Sequence, residues 1–485
     1  MGHPIFPLLF VLFLTTIVNC HLTKSSYSSS LFVEDDEPIV KQLGKSRNGR
    51  EEFIVEDTKI EGNTDVSVED PEIPNNSSGE NVVTKGVEAR VSYSGAQVWK
   101  FRLSNLQVLN ELNKLNQEKE IGWWGGNITY IDMMVKPSSR QVAHEILTNY
   151  QVPYEIIIND LQEAIDNENP QFDEEAELAN RKGHRMTWQS YHRLADIHGY
   201  LDYLANTYPD LCSTQVIGKS VEGRELKILK ISNGNADNKA IWIDGGIHAR
   251  EWISPASVTY IINQIVEGYE NESSDIKSID WYFLPVLNPD GYEYTHKNDR
   301  LWRKNRGKSF SGACAGTDLN RNFGYRWGGK GNSKNPCAET YGGRSAFSEP
   351  EARAVKTFFE SANAKFKAYL SFHSYGQFIL YPWGYENVVP PDHMDLQRVG
   401  QKMAQAIRTT GGATYKVGSS ANLLYPASGG SDDWAKAYGV KYSYTIELRD
   451  SGRYGFVLPA SFITVTAKEA LAAVRVVAAA VVVTA

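Results

Sequence analysis

Hydrophobic and polar residues along the chain fall into blocks of different period, and the periods predict the elements. Residues 96–103 (AQVWKFRL) alternate apolar and polar side chains, the pattern of a half-buried strand. Leu106, Leu109, Leu112 and Leu115 then recur at helical spacing across 105–115, with Ser104 as the cap. Strand-like IGWWG (121–125) and YIDMMV (130–135) follow. A helix over 138–150 turns Val142, Ile146 and Leu147 inward, and YEIII (154–158) ends the series. The order β-α-β-β-α-β predicts a small α+β, ferredoxin-like domain at 91–160.

The larger body, 186–485, has a different rhythm. Continuous apolar runs, KAIWIDGG (239–246), WYFLPVLN (281–288), AYLSFH (368–373) and YSYTIEL (442–448), alternate with helical stretches at 190–207, 254–270, 349–362 and 393–410. Strands apolar on both faces, separated by helices, predict an α/β domain with a mixed, mostly parallel sheet flanked by helices. The apolar run from Val476 to Ala485 reads as the end of a helix. Between the two domains, Asp160–Glu177 holds eight acidic residues and no basic one, and the basic cluster Arg181-Lys182-Gly183-His184-Arg185 follows. Residues 161–185 are therefore expected to connect the domains and to carry a cleavage site for a trypsin-like protease, leaving a large domain that starts near Met186.

Charge and composition narrow the function classes. The 485 residues include 50 basic and 58 acidic side chains, a net of −8. Residues 34–72 alone carry 13 acidic and 5 basic ones, also a net of −8, so the remaining 45 of each sign balance. No basic field is left for nucleic acid. Residues 21–90, acidic and without periodicity, read as a disordered extension. The apolar run from Ile5 to Val18, with a cut near Cys20, reads as a signal peptide over 1–20 and is too short to span a bilayer comfortably. The expectation is a secreted, extracellular protein with no membrane attachment. Cys314 and Cys337, 23 apart in a Gly/Ser/Asn-rich stretch, suit a loop-closing disulfide, which leaves Cys212 as a buried thiol. Sequons stand at Asn75, Asn76, Asn127 and Asn271.

Candidate chemistry centres on IDGGIHAREW, where His248 and Glu251 follow a buried strand and a Gly-Gly turn. That is the end of a strand, where open α/β sheets place their sites. The rival pair His296 and Asp299 lies in YTHKNDR, where a solvated histidine is the simpler reading. His373, closing the apolar run AYLSFH, is the candidate third ligand, since catalytic zinc takes three protein ligands and keeps a fourth position open. Glu447, in the apolar run YSYTIEL, supplies a carboxylate that could accept the proton of an attacking water. From these residues alone, a structural ion pair remains an alternative to a zinc hydrolase.

The fragments HAREW, NPDGY, RLWRKNR, DLNRNF, FHSYGQ, YPASGGSDDW and ELRDSGRYGFVLPAS, in this order, decide between them. Residues 94–180 and 186–475 resemble a pancreatic-type zinc metallocarboxypeptidase zymogen of the carboxypeptidase A/B family. The resemblance implies one zinc ion per chain on His248, Glu251 and His373, with Asp318 orienting the first histidine. It implies Glu447 as general base and Arg303 as the group polarising the scissile carbonyl. Asn320, Arg321 and Tyr425 would clamp the substrate's free carboxylate; Arg250, Arg300 and Tyr375 would line outer subsites. The Cys314–Cys337 disulfide matches as well. It further implies a secreted, digestive, monomeric enzyme that removes C-terminal residues from peptides and proteins after a trypsin-like protease removes the 91–160 prosegment. Asp432 falls at the floor of the side-chain pocket, where an acid accompanies preference for C-terminal Lys and Arg. Gly384 and Ser420 depart from the basic-specific pattern, so a carboxypeptidase A-like preference for aromatic and aliphatic ends is the alternative. An inactive binding protein on the same scaffold would need a lost ligand or base, and none is lost.

Overall fold

The computed structural model describes residues 90–484, except 103–105, 119, 127–128, 171–182 and 309–313. The signal peptide, the acidic extension up to residue 89, three of the sequons (Asn75, Asn76, Asn127) and the basic residues Arg181 and Lys182 lie outside the described residues. The first domain contains β1 (Gln97–Arg102), α1 (Leu106–Gln117), β2 (Ile121–Gly126), β3 (Tyr130–Val135), α2 (Arg140–Asn149) and β4 (Tyr154–Ile158). Its antiparallel sheet has the order β2-β3-β1-β4, as the split βαβ pattern requires.

The two-residue period of a strand decides what each face of this sheet meets. Trp99, Phe101, Met133 and Val135 pack under α1 and α2 with Val108, Leu112, Ala143 and Leu147. The alternate residues Val98, Trp124 and Met134 face the other way and pack against Leu301, Tyr375, Phe456 and Val457 of the large domain. Lys100 and Asp132 share that second face. Val142, expected to point inward, is instead 44 % exposed, because α2 is turned so that Ala143 and Leu147 meet the sheet. The helix begins at Arg140 after a short 3-10 turn at Pro137–Ser139, which sets that rotation.

A short helix, α3 (Leu161–Asp166), capped by the Asp160 side chain, leads toward the large domain. There α4 (Leu194–Thr207), β5 (Cys212–Lys219), β6 (Glu225–Ile231), β7 (Lys239–Asp244), α5 (Ile253–Glu267), β8 (Ile279–Leu284), α6 (Pro289–Lys297), α7 (Pro350–Ser361), β9 (Lys365–Ser374), β10 (Phe378–Tyr381), α8 (His393–Gly411), β11 (Lys416–Ser419), α9 (Ser431–Tyr438), β12 (Tyr442–Leu448) and α10 (Ile463–Val482) follow in order. The eight-stranded sheet runs β11-β10-β12-β9-β7-β8-β6-β5. Its centre, β12-β9-β7-β8, is parallel, and antiparallel pairs occur only toward the edges. One face is covered by α4, α5, α8 and α10, the other by α7 and α9. Burial on both faces explains the unbroken apolar runs of β7 and β9. Cys314 and Cys337 form the expected disulfide, with Cα atoms 5.2 Å apart. Cys212 is a buried thiol whose pKa burial pushes up to about 12. Among the described residues no helix is long and apolar enough to cross a membrane.

The rotation of α2 has a measurable consequence. Leu147→Ala should cost about 2–5 kcal/mol of stability through lost burial and a residual cavity. Val142→Asn, on the exposed face, should stay within about 0.5 kcal/mol. Urea unfolding of the two variants checks both, and a large loss for Val142→Asn would contradict this packing.

Candidate metal centre and active-site cleft

The parallel centre of the sheet brings the candidate ligands together at the carboxyl ends of its strands. β7 ends at Asp244 and the chain turns through Gly245 and Gly246. Gly246 has φ +62°, and a Cβ on Gly245 would lie 2.7 Å from Ser254 Oγ, so the turn tolerates only glycine at these two positions. Ser254 Oγ accepts the Gly246 N–H at 3.0 Å and donates to the Phe372 carbonyl at 2.6 Å, tying the turn to β9. His373, on β9, sits in register beside Glu447 on β12.

His248, Glu251 and His373 are all buried, and one ligand atom from each lies within 4.8 Å of the others. His248 Nδ1 is 2.8 Å from Glu251 Oε1, and His373 Nδ1 is 3.2 Å from Glu251 Oε2. The two Nδ1 atoms are 3.2 Å apart. Each imidazole is held from behind through Nε2. His248 meets Asp318 Oδ1 at 3.1 Å, and His373 meets Ser371 Oγ at 3.2 Å, whose hydroxyl donates to Asp244 Oδ1 at 2.6 Å. The Ser374 N–H donates to Glu251 Oε2 at 3.1 Å. Although burial opposes it, the two imidazoles hold the Glu251 carboxyl well below the usual carboxylate range. Two histidines oriented by outer hydrogen bonds, plus one carboxylate, form a set that zinc takes with a fourth position open, so the donors fit that metal.

Asp318 also fixes a cation. Its Oδ2 accepts from Arg303 Nε at 3.1 Å and Nη2 at 2.8 Å. Burial works against the charge on Asp318, but Arg303, His248 and Arg321 hold its carboxyl well below the usual range. For Glu447 the balance is opposite. Burial pushes it up to about 8 and Glu251 adds to the rise, while His373 and Arg303 pull back.

Other residues anticipated from the sequence surround this cluster. Arg321 is buried and donates to the main-chain carbonyls of Gly331 and Asn320 at 2.8 and 3.0 Å, rather than to a core acid. Asn320 Oδ1 accepts the Ser431 N–H at 2.9 Å, and Tyr425 stands 44 % exposed. Asp432 is buried, 3.4 Å from Ser420 Oγ. Asp433, in the first turn of α9, accepts the N–H groups of Gly384 and Tyr385 at 2.8 and 2.9 Å. Gly430 is the N-cap of α9. The rival His296 is no solvated loop residue: it lies on α6, stacked on Trp252 at 4.1 Å, and burial lowers its pKa to about 3.

The outer residues meet the first domain. Tyr375 donates its hydroxyl to Asp132 Oδ2 at 2.6 Å, and Lys100 Nζ donates to the Ser451 carbonyl at 3.1 Å. Arg250 lies over the Phe456 ring at 4.1 Å, and Trp124 packs on the same ring at 5.4 Å. Arg300 is fully buried in a bidentate pair with Glu168, Nε to Oε2 at 2.6 Å, and lies over Trp252 at 3.8 Å. Tyr93 OH donates to Asp299 Oδ1 at 2.7 Å.

Asp244, Ser371 and Ser254 were not anticipated from the sequence. Asp244 carried a signal, since a lone acid closing the apolar run KAIWID is costly unless bonded. The serines carried none. If Asp318 sets the orientation of His248, Asp318→Asn should lower zinc affinity by about 10–100-fold, measured by competition with a chelator. Unchanged affinity would show that Asp318 serves Arg303 alone.

Comparison with known proteins agrees with this geometry. Residues 197–473 match the zinc carboxypeptidase family, and residues 99–168 match the carboxypeptidase activation peptide. Carboxypeptidase B of Astacus astacus is 47 % identical over 295 residues, 60 % of this chain and 97 % of that protein. Carboxypeptidase A1 of Bos taurus is 40 % identical over 372 residues, 76 % of this chain and 88 % of that protein. The crystal structure of thrombin activatable fibrinolysis inhibitor superposes with a TM-score of 0.73 at 35 % identity, covering 80 % of this chain and 99 % of that one. With a metal-type donor cluster at its sheet ends and an activation peptide packed beside it, the chain belongs to the zinc carboxypeptidase family, in the zymogen arrangement of the A/B-type enzymes.

Proposed function

We propose that this carboxypeptidase is a secreted, monomeric digestive enzyme with a preference for C-terminal Lys and Arg, and that its prosegment blocks the cleft until a trypsin-like protease cuts within Arg181–Arg185. The observation that carries the catalytic part is the buried His248, Glu251 and His373 cluster with Glu447 beside it in register. Zinc held there supplies a Lewis acid for the scissile carbonyl and makes water a better nucleophile. The protein's own groups do the rest. Glu447, as the carboxylate, takes the proton of the attacking water and passes it to the leaving amine, and burial, which raises its pKa, makes it a stronger base than a solvated carboxylate. Arg303, aimed by Asp318, offers N–H donors where negative charge develops on the carbonyl oxygen. Arg321, Asn320 and Tyr425 receive the substrate's terminal carboxylate, a role that suits a planar guanidinium.

Specificity rests on Asp432. Burial raises its pKa, and among the described residues no lysine or arginine pairs with it. A buried carboxylate without a counter-ion is costly, and an incoming substrate cation would compensate it. Ser420 and Gly384 are small, and a Cβ built on Gly384 would already meet the Ala427 carbonyl at 3.3 Å and Ser420 Cβ at 3.6 Å, so a larger residue at 384 would narrow this region further. The likeness to the Astacus carboxypeptidase B supports the same reading. Latency rests on the sheet face that carries Trp124 and Asp132, which packs on Tyr375, two residues beyond the ligand His373. Arg250 and Arg300 also lie under or beside the prosegment and its connector, consistent with outer subsites that open when it leaves.

Glu447→Gln should keep zinc and fold while kcat falls by about 10²–10⁴-fold, the typical worth of a positioned base. Substantial turnover with zinc bound would remove Glu447 from that role. Asp432→Ile should invert the ratio of kcat/KM for blocked dipeptides ending in Arg and Phe, by about 10²-fold or more, because a desolvated charge pair is lost. Should the native enzyme cleave C-terminal Phe faster than Arg at equal concentration, Asp432 is a structural acid at the start of α9 and the carboxypeptidase A-like reading stands.

A further inference from the structure

Of the four sequons, only Asn271-Glu272-Ser273 lies wholly among the described residues. Asn271 closes a 3-10 turn (Tyr269–Asn271), in which its N–H donates to the Gly268 carbonyl at 2.9 Å. The next two residues are extended, Glu272 with φ −70° and ψ 156°, Ser273 with φ −64° and ψ 157°. In an extended chain alternate side chains leave on the same side. Glu272 turns inward, its side chain 9 % exposed and paired with Arg475 of α10, while Asn271 and Ser273 are both exposed. Among the described residues the Asn271 carboxamide has no hydrogen-bond partner. Ser273 Oγ accepts the Ile276 N–H at 3.5 Å and so caps the short helix Ser274–Lys277.

The place of this turn matters as much as its shape. α5 starts at Ile253, two residues beyond the ligand Glu251, and its 15 residues carry the chain about 22 Å away, to Glu267. β8 then begins at Ile279 and runs parallel to β7, back toward the carboxyl ends of the strands where the ligands lie. The turn at Asn271 is therefore at the opposite pole from the cleft. Tyr375, which holds the first domain through Asp132, follows the last residue of β9 at the ligand pole. A bulky polar chain on Asn271 meets neither substrate nor prosegment. We propose that Asn271 carries an N-linked oligosaccharide, set where it leaves the cleft and its cover free. The proposal rests on the secretion reading above, because the donor, a lipid-linked oligosaccharyl diphosphate, serves chains that enter the secretory route. In the transfer Asn271 Nδ2 bonds to the anomeric carbon and the anomeric C–O bond breaks. The lipid diphosphate leaves with that oxygen, and one amide proton passes to a base of the transferase. Nothing is oxidised or reduced. Ser273 supplies the hydroxyl that completes the acceptor motif and then caps the helix once the chain has folded, so one side chain serves both purposes.

The test is expression of the full chain with its own leader in an insect cell line, followed by peptide mapping of the protein in the medium. The tryptic peptide 251–277 holds no other sequon. It should be recovered mostly glycosylated, with aspartate at position 271 after enzymatic deglycosylation. Asn271→Gln should lose the mass of one glycan and keep its kcat/KM after activation. Two serine variants separate the glycan from the cap. Ser273→Thr should keep both, whereas Ser273→Ala should lose the glycan and melt below Asn271→Gln, since it alone removes the cap. Peptide 251–277 recovered unmodified from secreted protein, or an Asn271→Gln variant with the glycan mass of the native chain, overturns the proposal while leaving secretion intact. Retention of the native chain inside the cells would defeat the secretion reading instead. The same chain with residues 1–20 replaced by a proven leader then still decides Asn271 by the same peptide.

Discussion

A carboxylate buried between two imidazoles is the constraint on which the large domain depends. Glu251 faces His248 and His373 and accepts the Ser374 N–H. Such a group is tolerated in an apolar sheet end only if its partners are held rigidly. The parallel strands provide that rigidity. β7 and β9 are hydrogen-bonded neighbours, and Ser254 binds the turn after one to the carbonyl of the other. Behind each imidazole a further acid, Asp318 or Asp244 through Ser371, keeps the ring in place. The same Asp318 aims Arg303, so one buried acid couples ligand orientation to the donors facing the carbonyl oxygen.

The first domain uses the two faces of its sheet for different purposes. One face makes its own core, and the other is completed only by the large domain. This division explains why the face bearing Trp124 also carries Lys100 and Asp132, which find partners in Ser451 and Tyr375. The connector adds the most deeply buried charge pair across the boundary, Glu168 with Arg300. Removing one partner of such a pair leaves the other charge uncompensated, which is strongly destabilising. Arg300 also stacks on Trp252, the residue after the ligand Glu251, which links the connector to the metal cluster through one aromatic ring.

Much of this was legible in the sequence, for physical reasons. The runs of β7, β9 and β12 are apolar throughout because both sheet faces are covered, and the polar residues that interrupt or end them, Asp244, His373 and Glu447, are the ones at the site. The β-α-β-β-α-β order followed from period alone. What stayed hidden depended on tertiary placement. β5, whose exposed and buried residues mix without clear alternation, and the short β10 and β11 give no strong period. The inward turn of Val142 failed because a 3-10 turn shifted the start of α2. His296 looked solvated among charged neighbours, yet α6 lays it flat on Trp252. Asp433 lies in the first turn of α9, yet its partners come from the loop at Gly384 and Tyr385, distant in sequence, which no local pattern reveals.

The central claim is that His248, Glu251 and His373 together hold one zinc ion on which catalysis depends. Metal analysis of the purified full-length protein and of His373→Ala, each with parallel assays after proteolytic activation, tests it most directly. The account predicts one zinc per chain in the native protein, and neither tightly held zinc nor activity in His373→Ala, because one of three ligands is gone. Stoichiometric zinc retained by His373→Ala, or full activity in native protein stripped of metal, would contradict it.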